Sequence, residues 1–118
     1  VEDIFQIVTE MKNYVSGEFA VKNSLDLTIK YNKSIELIAR RIRFWELENV
    51  YFFINEIENE LKKEREFLIG FLSKIIINAK NSVETEDLKN LINLKNSIRN
   101  NVNIKSVLFN FFDILQNS

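Results

Sequence analysis

Apolar residues recur three and four positions apart along most of this chain, which is the spacing of a helix that buries one face. The first series is Ile4, Ile7, Val8, Met11 and Val15. Glu2 and Asp3 precede it, where the positive end of a helix favours carboxylates, and Gly17 follows, so a helix over residues 2 to 15 is expected. Ser24 is a candidate N-cap for a second helix carrying Leu27, Tyr31, Ile35, Ile38, Ile42 and Trp45. The third series is Leu47, Val50, Ile54, Ile57, Leu61, Leu68, Phe71, Leu72, Ile75 and Ala79. It predicts one long central helix of about 30 residues, roughly 45 Å at 1.5 Å per residue.

The second and third series do not share a face. Seven residues after Trp45 stands Phe52, whereas seven after Leu47 stands Ile54, an offset of two residues or about 200° around a helix axis. Either the chain turns near residues 43 to 47, or one helix is buried on opposite sides in succession. Charge favours the turn. Residues 22 to 43 hold six basic and two acidic side chains, and residues 46 to 66 hold seven glutamates and three basic ones. Two such helices fold back as an antiparallel αα-hairpin with oppositely charged flanks, each exposed pair contributing a few tenths to about 1 kcal/mol. Side chains around Ile38 then lie beside those around Ile54.

Thr85, followed by Glu86 and Asp87, begins a fourth helix through Leu88, Leu91, Ile92, Lys95 and Ile98, ending near Asn100 and Asn101. Asn103 caps a fifth, apolar on most sides through Ile104, Val107, Leu108, Phe109, Phe111, Phe112, Ile114 and Leu115, the pattern of a helix enclosed by others or by a partner. Proline is absent, the two glycines are Gly17 and Gly70, and no segment alternates with period two. The expected fold is all-α, a four- to five-helix bundle with an antiparallel αα-hairpin and one long central helix, in a single helical domain over residues 1 to 118.

Composition removes much chemistry. Without cysteine there is no disulfide framework, thiolate nucleophile or cysteine metal site. Without histidine, the commonest general base near neutral pH and the commonest transition-metal ligand are missing, with every Ser/His or Cys/His arrangement. There is no glycine-rich phosphate loop, and no apolar run approaches the roughly 18 residues of a membrane span. A net charge of −1 implies no broad affinity for polyanions. These features point to a non-enzymatic protein without cofactor, and the default setting is cytoplasmic.

Three constellations remain. Glu56, Glu60 and Glu64 share one helical face and offer oxygen ligands to a divalent cation, but they stand on a single helix and read more simply as a solvated face. Lys33, Arg40, Arg41 and Arg43 form a local basic patch suited to nucleic-acid phosphates, with Phe44 or Trp45 available to stack on unpaired bases. Glu36, Glu46 and Glu48 narrow that patch, and pairing of the arginines with glutamates of the next helix competes with it. The third is aromatic. Phe44, Trp45, Tyr51, Phe52 and Phe53 cannot all face one way, because neighbours on a helix diverge by about 100°, so some point away from the main core. Together with Phe109 and Phe112 of the fifth helix they are candidate interface residues, since tryptophan, tyrosine and arginine anchor protein contacts. The functional expectation is a helical interaction module or small accessory subunit that binds a protein partner or self-associates. The alternative is a helical nucleic-acid-binding accessory protein using Lys33, Arg40, Arg41 and Arg43.

Overall fold

The first apolar series forms a helix over the expected residues, α1 (Glu2–Val15), with Ile4, Val8 and Met11 turned inward. The structure, a computed structural model, describes residues 2–15, 40–100 and 103–117. The helix expected after Ser24, and the Ile38–Ile54 approach that would define its hairpin, lie outside them. Among the described residues the fold is all-helical: a 3₁₀ turn at Ile42–Phe44 and the helices α2 (Leu47–Leu61), α3 (Arg65–Ala79), α4 (Thr85–Ser97) and α5 (Ile104–Gln116) follow α1 and pack as a small bundle. α1 lies on α2, α3 on α4, and α5 against α2, α4 and the 3₁₀ turn.

Between the 3₁₀ turn and α2 the helical path stops. Trp45 and Glu46 take extended conformations, with φ/ψ of −68°/147° and −64°/149°. No single unbroken helix runs through residues 43 to 47, and this break accounts for the phase difference between Trp45 and Leu47.

The long central helix does not form. Its helical path ends at Leu61 and resumes at Arg65, with Glu64 outside the helical region at φ −104°, ψ 59°. In an unbroken helix the Cα atoms of Phe53 and Phe71 would stand about 27 Å apart, yet their ring centroids are 6.0 Å apart, so the chain folds back. The reason is burial. A helix over residues 47 to 79 would run to about 50 Å, beyond the molecule's longest extent of 41 Å. Between Leu61 and Phe67 stand only charged residues, which supply no apolar contact to hold that stretch in the core and are readily solvated in a turn.

Most of the remaining apolar series becomes the core, with Leu47 and Ile92 exposed. Val50, Ile54, Ile57 and Leu61 of α2, Leu68, Phe71, Leu72, Ile75 and Ala79 of α3, and Leu91 and Ile98 are all buried, as are Ile104, Val107, Leu108, Phe111, Phe112 and Leu115 of α5. Phe53 is the hub: its ring meets those of Trp45, Phe71 and Phe112 edge-on at 5.4, 6.0 and 6.1 Å. Asn103 caps α5 as expected, its Oδ1 accepting from the Ser106 amide at 3.0 Å. Thr85 is the first residue of α4, with Glu84 in the cap position.

Two polar contacts hold α3 to the end of α4. Arg65 Nη1 donates to the carbonyl of Ile98 at 2.6 Å, and Arg99 donates twice to the Glu66 carboxylate, at 2.8 and 3.0 Å. The hydrogen bond from Arg99 holds the Glu66 carboxyl below the usual carboxylate range.

Candidate interaction surface

The 3₁₀ turn presents the most exposed aromatic side chain among the described residues, and it is tied down on both sides. Ile42 is buried beneath it, and the indole of Trp45 packs edge-on against Phe53. Gln116, at the end of α5, donates through Nε2 to the carbonyls of Ile42 at 3.2 Å and Trp45 at 3.0 Å. Between these anchors Phe44 is 83% exposed. A side chain of that size left in water on a backbone held by a tertiary contact is the clearest departure from ordinary burial among the described residues.

The surface continues onto α2. Leu47 and Tyr51, one turn apart on the same helix face, are 53% and 45% exposed. The Tyr51 ring meets Phe109 of α5 edge-on at 5.1 Å, and Phe109, half-buried, lies 6.0 Å from the Lys105 ammonium. Around these apolar residues stand Arg40 and Arg41 before the turn and Glu46 and Glu48 after it, all exposed, with Arg43 half-buried.

The seven expected interface residues therefore divide. Phe44 and Tyr51 are exposed, and Trp45, Phe52 and Phe109 are half-buried. Phe53 and Phe112 do not belong to a surface: both are enclosed within the chain, because they point from α2 and α5 into the aromatic hub. Leu47 was expected in the core series, but as the first residue of α2 it lies at the end of the stripe, beyond the neighbours that cover Val50 and Ile54. Phe5 is a further exposed aromatic, its ring edge-on to Phe52 at 5.0 Å.

Of the basic patch, Lys33 lies outside the described residues, and Arg40, Arg41 and Arg43 sit at the start of the surface just described. The acidic face of Glu56, Glu60 and Glu64 is divided: Glu60 bonds Lys12 of α1 at 2.8 Å, and Glu64 stands in the break after α2. Among the described residues no three potential metal ligands come together. An open cleft of about 450 Å³ lies where the α2–α3 connection meets the start of α5, lined by Glu58, Lys62, Lys63, Arg65, Asn103 and Ile104. Its lining is mainly charged, and Ile104 is its one apolar side chain. Among the described residues no helix is long and apolar enough to cross a membrane.

No family model matches the sequence, and no curated protein or solved structure matches it.

Proposed function

We propose that this chain is a non-enzymatic helical interaction module whose working surface is Phe44, Leu47 and Tyr51, bordered by Phe109. The observation that carries this is the presentation of Phe44: it is 83% exposed although the residues on either side of its turn are held by a buried isoleucine, an indole and the Gln116 amide. Rigid presentation lowers the entropy that docking must offset, and aromatic side chains and arginine are enriched at the centres of protein contacts. A photoreactive residue at position 44 or 51, in the cells that make the protein, is expected to give protein adducts, and one at the exposed Asn96 of α4 none. Leu47→Asp should abolish the adducts while leaving the far-UV spectrum unchanged. Equal labelling at all three positions, or none at 44, refutes the proposal.

The nucleic-acid reading rests on the exposure of Arg40 and Arg41. Adducts to nucleic acid at position 44, with affinity for single strands falling steeply as salt rises, would establish it in place of protein docking.

A further inference from the structure

At the far end of α2 from Phe44, roughly 20 Å along the helix from Leu47, the cleft beside the α2–α3 connection gathers charge of one sign. Lys62, Lys63 and Arg65 line it against one carboxylate, Glu58, which leaves the lining a net charge of +2 in a chain whose own net charge is −1. The neighbouring carboxylates stand outside it: Glu66 is held by Arg99, and neither Glu66 nor Glu64 lines the cleft. Glu58 and Lys62 are four positions apart with the glutamate first, the order in which an ion pair forms most readily along a helix. Yet Glu58, Lys62 and Lys63 make no ion pair or hydrogen bond among the described residues. Arg65 is anchored by the carbonyl of Ile98, which fixes its guanidinium charge in the cleft wall.

A concave site that carries two unpaired ammonium groups beside a fixed guanidinium concentrates anions, and lysine and arginine bind phosphate oxygens through charge-assisted hydrogen bonds. A phosphate monoester carries about −1.5 to −2 at pH 7, which matches the lining. The volume of about 450 Å³ is that of a small-molecule site and exceeds what a bare phosphate fills. Glu58 decides the chemistry of the remainder, because a carboxylate accepts from a hydroxyl and repels a second anionic group. Ile104 is the one apolar side chain in the lining, so the cleft offers no aromatic face to a nucleotide base. We propose that this cleft binds a small hydroxylated phosphate monoester of the sugar-phosphate class. Lys62 and Lys63 take the phosphate, Arg65 adds its fixed charge beside it, and Glu58 accepts from a hydroxyl.

Amide-resolved NMR of the isotope-labelled full chain, titrated at constant ionic strength with glucose 6-phosphate, inorganic phosphate or glucose, tests this. Glucose 6-phosphate is expected to move the amides of Lys62, Lys63, Arg65 and Ile104 along one saturable curve, and to bind about tenfold tighter than inorganic phosphate. Glucose should give no saturable shift. Lys62→Ala with Lys63→Ala should weaken glucose 6-phosphate by about tenfold or more, whereas Lys80→Ala with Lys89→Ala, which removes two exposed lysines elsewhere, should leave it unchanged. Glu58→Ala has opposite effects on the two anions: it strengthens inorganic phosphate by removing a like charge and abolishes the preference for the ester. Phe44→Ala should change none of these affinities, so binding here stands or falls apart from docking at the other end of α2. Thermal midpoints like that of the parent show that the variants fold. Saturable binding with these responses supports the proposal. No saturable shift with glucose 6-phosphate, an affinity no greater than that of inorganic phosphate, or an equal loss in the Lys80 and Lys89 variant overturns it, the last by showing only a general attraction of anions to surface lysines.

Discussion

Phe44 and Phe53 are the same residue type nine positions apart, and their truncation to alanine should have opposite consequences. Phe53 is fully buried, and its ring meets Trp45, Phe71 and Phe112, so it joins the turn after residue 44 to α3 and α5. Removing a buried phenylalanine side chain costs about 3 to 5 kcal/mol through lost transfer energy and the cavity left behind. Each edge-on aromatic pair adds roughly 0.5 to 1.5 kcal/mol beyond area, although three pairs on one ring do not sum independently. Phe53→Ala is therefore placed near the top of that range, at about 4 to 5 kcal/mol. Against a typical stability of about 5 to 15 kcal/mol this is about a quarter or more of the total. At about 4 °C per kcal/mol it lowers Tm by roughly 15 to 20 °C. Phe44→Ala removes a side chain that is already 83% in water and should change stability by no more than about 0.5 kcal/mol. Urea unfolding followed by far-UV circular dichroism, at a concentration where the chain is monomeric, measures both. An equal m-value for the two variants confirms that midpoints report stability. If Phe44→Ala costs more than about 2 kcal/mol, or Phe53→Ala less than about 1, the division of the aromatic belt into hub and surface is wrong.

Three further outcomes are expected. Gln116→Ala removes the donor to the carbonyls of Ile42 and Trp45; it should cost about 1 to 2 kcal/mol in urea unfolding, and by loosening the 3₁₀ turn it should weaken any association measured through Phe44. Asn103→Ala removes the cap of α5 and should cost about 1 kcal/mol, with most of it recovered by Asn103→Ser, compared by thermal unfolding. The Glu66 carboxyl is lowered by Arg99, so its contribution is complete above the ordinary carboxylate range and is lost as pH falls through its depressed value. Acid unfolding of Glu66→Gln should show a shallower loss of stability across that interval, and a parallel curve would show that the Arg99 contact contributes nothing measurable.

What could be read from the sequence was local. A period of three to four residues belongs to each segment by itself, so α1, the inward faces of α2 to α5 and the Asn103 cap follow from residue order alone. The out-of-phase series around Trp45 likewise marks a place where one helix could continue only by burying opposite sides in succession. The break at Lys62–Glu64 was hidden for the same reason. Leu61 and Leu68 are seven residues apart, a spacing that satisfies one long helix and two short ones equally, and the decision came from the burial gained when Phe53 closes on Phe71. Within the aromatic belt, adjacency in sequence says that neighbours diverge but not which of them meets protein. Phe53 became core because α3 and α5 arrive on its side, and Phe44 stayed in water because Ile42, Trp45 and Gln116, the last of these 72 positions further along the chain, fix its turn without covering it. The same holds for Glu60, whose partner Lys12 comes from another helix, 48 residues earlier. Spacing determines which residues share a face of a helix; what covers that face depends on residues brought close only when the chain packs, where each contact must offset the entropy of ordering the chain between its ends.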